Sequence, residues 1–179
     1  MESIKRHNNE FVASEAYKKY QTSKYPDKKI AIVSCMDTRL VTMLPAALGL
    51  QNGDVKMIKN AGGLVTDPYG DSMRSLLVAI YELGVETVMI IAHTNCGVEG
   101  MKGDHFLHVM EERGIARDTI DEVKKEGHDL EKWLTGFTDT EAAVRESVGL
   151  VRNHPLLPPG IRVEGFIIDT LTGRLKEVR

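Results

Sequence analysis

Three short segments rich in valine, isoleucine and methionine lie in the first half of the chain, and polar residues or glycine follow each of them. They are "KIAIVS" at 29–34, "DVKMIK" at 54–59 and "ETVMIIA" at 86–92. The first and third are almost continuously apolar rather than alternating, which is typical of strands covered on both faces of a parallel sheet. We therefore predict three strands, each followed by a loop with its own chemistry.

Segments with helical periodicity or helix-boundary signals separate the strands. We predict helices over residues 10–20, 40–48, 71–83, 138–153, and over 104–134 with breaks near Gly114 and Gly127. Asp71 and Gly84 are candidate caps of the helix over 71–83, and "TDTE" at 138–141 matches a capping box. "RVEGFIID" and "LKEV", joined by a turn at "TLTGR", predict a terminal β-hairpin.

This alternation predicts a single-domain α/β fold with a mostly parallel central sheet flanked by helices. We expect residues 1–27 to form a helical N-terminal arm. Residues 28–179 are expected to form the α/β domain that carries the chemistry. Ligands of such sheets lie beyond the carboxyl ends of the strands, so the loops after the strands are the place to look for a site.

Composition narrows the class of protein. The chain has 179 residues, a formal net charge of −3 and no lysine or arginine cluster, which argues against a nucleic-acid partner. Its apolar runs, such as "LLVAIY" at 76–81, are far shorter than the roughly 20 residues of a membrane helix, and no secretory signal is visible. We expect a cytoplasmic protein without a membrane partner. In that reducing compartment its two cysteines are metal-binding, catalytic or inert rather than disulfide-bonded.

Three residues with metal-ligand chemistry follow two of the predicted strands. Cys35 comes after the first strand, and His93 and Cys96 come after the third. Each is weak evidence alone, because a lone cysteine is most often a small buried hydrophobe. Together, two thiolates and an imidazole select zinc over magnesium or calcium. Three protein ligands would leave a fourth position for water, whereas a closed site would need another histidine or an acid.

The motifs "CMDTR" at 35–39, "NAGG" at 60–63 and "HTNCG" at 93–97 resemble those of the β-class carbonic anhydrases. The resemblance covers about residues 28–169 and is to the small, compact members. It implies that Cys35, His93 and Cys96 ligate Zn²⁺, that the fold is that of the family, and that protomers form a homodimer or homotetramer. The implied activity is that of a lyase, the reversible hydration of carbon dioxide to bicarbonate and a proton by zinc-bound hydroxide.

The resemblance also implies roles for residues around the metal. Asp37 and Arg39 would form the family's catalytic dyad: the carboxylate either orients the nucleophile or blocks the metal, and the guanidinium draws the carboxylate away. The second motif is either an ordinary turn or a close backbone approach to substrate, and its residues are Asn60, Ala61, Gly62 and Gly63. Leu64 and Val65 would line an apolar pocket. Asn95, where many members have Asp or Gly, would support the two ligands that flank it.

Two other functions stay open at the level of sequence. A relative that hydrolyses carbon disulfide or carbonyl sulfide would use an identical zinc set. A noncatalytic zinc or redox protein would instead use Cys35 and Cys96 as a reversible disulfide.

Overall fold

A five-stranded sheet organises the chain, and four of its strands are parallel. The computed structural model describes all residues, 1–179. The strands are β1 (Ile30–Cys35), β2 (Val55–Asn60), β3 (Thr87–His93), β4 (Arg162–Ile168) and β5 (Leu175–Val178). They lie in the order β2-β1-β3-β4-β5, and only β5 runs antiparallel to its neighbour. The predicted fold class and the terminal hairpin are confirmed.

Seven α-helices connect or precede the strands. They are α1 (Glu2–Ala13), α2 (Leu40–Ala47), α3 (Asp71–Leu83), α4 (Gly103–Glu112), α5 (Arg117–Lys125), α6 (Leu130–Leu134) and α7 (Thr140–Arg152). The breaks predicted near Gly114 and Gly127 fall between α4, α5 and α6, as expected. α2 contains Pro45, which has no N–H to donate to the carbonyl of Val41, so the helix lacks that hydrogen bond.

Apolar side chains cover both faces of the sheet, as the continuous apolar character of β1 and β3 predicts. On one face, Val33 and Ile90 pack with Leu76 of α3 and Val144 of α7 in a cluster of 18 buried residues. On the other face, a cluster of seven joins strand residues to Leu40 and Leu44 of α2. Cys35 and Cys96 belong to this second cluster, so the candidate metal centre forms part of the core.

Three local predictions differ from the structure. The N-terminal helix spans Glu2–Ala13 rather than 10–20, and a short 3₁₀ helix follows at Ala16–Tyr20. Asp71 is the first residue of α3 and makes no cap, because Gly70 takes the capping position. At α7 the cap is Asp139 rather than Thr138, since the Asp139 side chain accepts the backbone N–H of Ala142.

The N-terminal arm stands apart from the core. None of the 12 residues of α1 is buried, and its Phe11 ring lies 6.0 Å from the ring of Tyr20 in the following 3₁₀ helix. The division into an arm of residues 1–27 and a domain of 28–179 stays a prediction. No helix in the structure combines the length and the apolar character that crossing a bilayer requires.

A buried serine anchors the loop after β2, and its removal should destabilise the protein. The Ser147 hydroxyl on α7 accepts the backbone N–H of Val65 at 2.7 Å, and both residues are buried. Ser147→Ala leaves that N–H without a partner, so we expect unfolding free energy to fall by about 1–3 kcal/mol. Chemical denaturation measures the change. Ser75→Ala, at an exposed position of α3, is the control. Equal stability of the two variants would show that the hydroxyl contributes nothing.

Candidate metal centre

The carboxyl ends of β1 and β3 bring the three candidate ligands together. Because the two strands are parallel neighbours, Cys35 at the end of β1 lies beside His93 at the end of β3. The loop after β3 returns Cys96 to the same point. The two Sγ atoms are 3.9 Å apart, and the three ligand atoms all lie within 4.8 Å of one another. All three residues are buried.

The hydrogen bonds of His93 fit a metal ligand. Its Nδ1 lies 2.9 Å from the carbonyl oxygen of Thr94, which can only accept, so Nδ1 carries the proton. In the neutral imidazole this tautomer leaves the lone pair on Nε2. Nε2 is the one buried side-chain nitrogen or oxygen in the structure without a hydrogen-bond partner. An unpaired buried polar atom is costly, and a metal ion among two thiols and this nitrogen would satisfy it. The donor set fits zinc.

The electrostatics of the thiols point the same way. Burial raises the pKa of Cys96, and the neighbouring Cys35 raises it further. Two thiolates this close repel each other in a site shielded from water. A divalent cation would outweigh this repulsion, because it stabilises both thiolates at once.

Asp37 and Arg39 form a two-pronged ion pair next to the candidate ligands. Arg39 donates from Nε to Asp37 Oδ1 at 2.9 Å and from Nη2 to Oδ2 at 2.8 Å, and its backbone N–H adds a third bond to Oδ1. These bonds, above all those from the Arg39 side chain, hold the pKa of Asp37 far below its ordinary value. Asp37 Oδ2 lies 3.9 Å from Nε2 of His93. The carboxylate thus sits beside the candidate metal position with both oxygens held by Arg39.

Arg39 has further contacts besides those with Asp37. Its Nη2 donates to the carbonyl oxygen of Asn95 at 2.8 Å, and its Nη1 lies 3.5 Å from the hydroxyl of Thr170. Asn95 has a φ of 54°, a left-handed conformation that asparagine tolerates better than most residues. Asn95, which sequence marks as a supporting residue, thus contacts the dyad through its main chain.

The loop after β2 is shaped by Asn60. Its amide nitrogen donates to Leu64 O at 2.7 Å and to Ser72 Oγ at 2.8 Å. Its oxygen accepts the backbone N–H groups of Gly63 and Leu64 at 2.9 and 3.2 Å. These four bonds use the hydrogen-bonding capacity of the side chain, so Asn60 holds the loop in shape.

Beside this loop lies an open cleft whose wall includes Ala61, Gly62, Leu64 and Val65. Val98, from the loop that carries Cys96, lines the cleft and also packs against the apolar cluster that contains Cys35 and Cys96. None of Cys35, His93 and Cys96 lines it. Of the six residues predicted to bind substrate or form its pocket, five line this cleft, since Asn60 lines it too and Gly63 does not. Contact of these residues with substrate stays a prediction.

Two polar neighbours of the site were missed by sequence reasoning. Lys59 donates from Nζ to Ser34 Oγ at 3.2 Å and to Cys35 O at 3.1 Å. Burial lowers the pKa of Lys59, while Cys35 and Asp37 act against that shift. Thr170 follows β4, whose carboxyl end lies at the same sheet edge as that of β3. That shared edge is the signal that would have marked Thr170 as a candidate.

Fold and site together define a parallel α/β domain with a buried Cys₂His metal centre, and comparison with known proteins supplies the family. The carbonic anhydrase family model matches residues 30–175. A β-carbonic anhydrase of Trichomonas vaginalis, TvaCA1, superimposes with a TM-score of 0.89 at 35% identity, covering 99% of this chain and 96% of that one. The chain belongs to the β-carbonic anhydrase family of zinc enzymes.

Two further relatives bear on what the site does. YvdA of Bacillus subtilis, provisionally named a carbonic anhydrase, is 47% identical over 176 residues, covering 98% of this chain and 89% of its own. A carbon disulfide hydrolase of Acidithiobacillus thiooxidans is 30% identical over 158 residues, covering 84% of this chain and 77% of its own. The family also includes tetrameric members.

Proposed function

We propose that this protein hydrates carbon dioxide reversibly to bicarbonate and a proton, at a zinc ion held by Cys35, His93 and Cys96. The observation that carries the proposal is the unpaired Nε2 of His93, buried within 4.8 Å of two thiols in a chain of this family. When bound, zinc makes a hydroxide nucleophile available near neutral pH. The residues of the chain bind the metal, orient the nucleophile and exclude water from the site.

The three ligands set the charge of the centre. Two thiolates offset the two positive charges of the ion, so the centre is a weaker Lewis acid than a three-histidine site. The residues around the ligands therefore have a larger effect on the reactivity of the metal centre. The Nδ1–H of His93, held by Thr94 O, fixes the tautomer that presents Nε2. With three protein ligands, the fourth position stays open for the reaction.

Asp37 is the residue that orients the nucleophile in this proposal. Its Oδ2 is 3.9 Å from His93 Nε2, so it would lie close enough to a metal held there to accept a hydrogen bond from the nucleophile. The same carboxylate is a potential metal ligand that would close the site. Arg39 opposes this closure because it holds both carboxylate oxygens in bidentate geometry.

The substrate reaches this nucleophile across the loop after β2. Ala61 and Gly62 carry at most a methyl group on the cleft, which permits a small molecule to approach the backbone closely. Leu64 and Val65, buried beside them, give an apolar wall that suits a nonpolar gas.

Substituting either member of the dyad should slow carbon dioxide hydration. We expect Asp37→Asn and Arg39→Ala to lower kcat/KM by about 10–100-fold, the usual effect of losing a residue that supports a metal site. Stopped-flow hydration with zinc-loaded protein measures this. Arg74→Ala, at an exposed position of α3, is the matched control. Full activity in both dyad variants would exclude the role proposed for the pair.

Hydrolysis of carbon disulfide or carbonyl sulfide is a second candidate function. The Acidithiobacillus thiooxidans relative supports it, because it is named a carbon disulfide hydrolase and aligns with most of this chain. Turnover of the three gases by one zinc-loaded preparation distinguishes the candidates. A kcat/KM highest for carbon dioxide supports our first proposal, and a higher value for either sulfur compound overturns it.

A noncatalytic redox role is a third candidate. It draws support from the 3.9 Å between the Sγ atoms of Cys35 and Cys96. Metal analysis of freshly purified protein, with thiol titration before and after chelation, tests it. One zinc per chain and thiols that react only after chelation would exclude this role.

The two buried cysteines, which form no disulfide, also support our proposal of a cytoplasmic location, which cell fractionation tests.

We further propose that protomers associate as a homodimer or homotetramer through the N-terminal arm. Ile4 and Val12 on α1 are 66% and 55% exposed in the single chain, and no residue of the helix is buried. A second protomer would cover these apolar side chains, as an amphipathic helix requires.

Weakening the apolar side of the arm should therefore reduce the oligomer. We expect the intact chain to show a mass two or four times the 19.9 kDa of the protomer by light scattering. Ile4→Ser combined with Val12→Ser should shift the mass toward the protomer, whereas Glu10→Ala, on the opposite face of the same helix, should not. An oligomer unchanged by the double substitution would place the interface elsewhere.

A further inference from the structure

Arg39 is also anchored by two groups other than Asp37. The carbonyl oxygen of Asn95 accepts from Nη2, and the hydroxyl of Thr170 lies within reach of Nη1, at 2.8 and 3.5 Å. The Arg39 side chain is 42% exposed. Ion pairs open to solvent hold their geometry poorly on their own, because water screens them and long side chains move. The two extra anchors supply the geometric restraint.

Thr170 is itself held in place by the loop that carries the ligands. Its backbone N–H donates to Thr94 Oγ1 at 3.0 Å, and its hydroxyl lies 3.1 Å from the same oxygen. Thr170 is buried. Thr94 also supplies the carbonyl that binds Nδ1 of His93. One short network thus joins the candidate ligand His93 to the guanidinium of Arg39.

The turn that bears Thr170 is rigid as well. Asp169 Oδ1 accepts three hydrogen bonds, from the backbone of Leu171 and from the backbone and hydroxyl of Thr172, at 2.7–3.0 Å. The bonds from Thr172 are the main reason that the pKa of Asp169 lies below its ordinary value. The hydroxyl of Thr170 therefore has a fixed position relative to β3 and β4.

We infer that Thr170 is a positioning residue: its hydroxyl holds Arg39 so that the guanidinium keeps Asp37 away from the metal. The inference rests on the proposed roles of Asp37 and Arg39. Without the hydroxyl, Arg39 turns more freely and releases the carboxylate, which then competes for the open metal position. The inferred effect of Thr170 on the metal position runs through Arg39, although Thr170 also bonds to Thr94, whose carbonyl oxygen holds His93.

Binding of an anion to the fourth coordination position of the metal measures how often that position is free, and it requires no catalytic turnover. Thiocyanate is titrated into the full chain loaded with cobalt in place of zinc, and the visible absorption of cobalt reports binding. Its apparent dissociation constant rises as the open fraction falls. We expect Thr170→Val, which keeps shape and removes the hydroxyl, to raise that constant about three- to tenfold, the scale of one weak charge-assisted hydrogen bond. Thr170→Ser restores the hydroxyl and should stay within about twofold of wild type by the same reasoning.

Two comparisons decide the outcome. In an Asp37→Asn background, Thr170→Val should leave the thiocyanate constant unchanged, because no carboxylate competes. An equal rise in both backgrounds, or no rise in either, overturns the inference. Thr170→Ala carries the same expectation should the valine variant fail to fold. Absence of carbon dioxide hydration in the wild type would overturn the proposed function while leaving the anion measurements intact.

Discussion

Cys35→Ser should leave the protein without zinc and without measurable carbon dioxide hydration. The serine hydroxyl is a hard, protonated donor at neutral pH, so it replaces a thiolate poorly on zinc. We expect zinc content to fall from about one ion per chain to near none after dialysis, as the ligand set requires. The rate should fall by at least about a thousandfold, because water without the metal is a far weaker acid and supplies little hydroxide at neutral pH. Metal analysis and stopped-flow hydration give the two readings.

The neighbouring Met36 provides a matched control for this substitution. Its side chain is 66% exposed, so Met36→Ala changes the same loop without touching the candidate ligands. Chelation of the wild type should reproduce the loss of activity, and added zinc should restore it. Chelation should also lower the free energy of unfolding, because a ligand that binds only the folded state stabilises it. A Cys35→Ser protein that keeps one zinc per chain would refute the ligand assignment.

Sequence could place the three candidate ligands at the carboxyl ends of two predicted strands, and the family motifs grouped them as one set. The apolar runs of β1 and β3 require burial on both faces, and burial of this kind requires a parallel sheet. Parallel strands end at one edge of a sheet, but only the structure shows that β1 and β3 are neighbours, which places Cys35 beside His93. Cys96 follows three residues after His93, within reach of a single tight loop. No side-chain conformation had to be known.

The contacts of Arg39 were beyond sequence reasoning for a different reason. Thr170 and Arg39 are 131 residues apart, and their contact depends on the register of β3 with β4 and on one arginine rotamer. Local sequence specifies neither. The bounds of α1 failed because the helix buries no face of its own chain, so its apolar spacing carries a weak signal. At α7, Thr138 and Asp139 are both good capping residues, and only the structure distinguishes them.

Gly63→Ala should damage both stability and the metal centre. Gly63 has a φ of +71°, which penalises any side chain. A Cβ built there would lie 2.5 Å from Cys35 N, 2.9 Å from Ser34 C and 3.1 Å from Ile91 O. All three are backbone atoms of the central strands, so none moves aside cheaply. The loop must retreat or the end of β1 must shift. Strain and overpacking together should lower the free energy of unfolding by about 2–5 kcal/mol.

Gly84 separates backbone strain from overpacking, because it has nearly the same φ as Gly63 but no atoms close to a Cβ. Its φ is +72°, and a Cβ there meets nothing within 4 Å. Gly84→Ala should therefore cost only the conformational penalty, about 1 kcal/mol. The excess loss in Gly63→Ala measures the close approach to β1. That variant should also bind zinc more weakly, since the displaced atoms belong to Cys35, whereas Gly84→Ala should bind zinc like the wild type. Equal losses of stability, with zinc affinity unchanged in both, would mean that Gly63 serves only the turn.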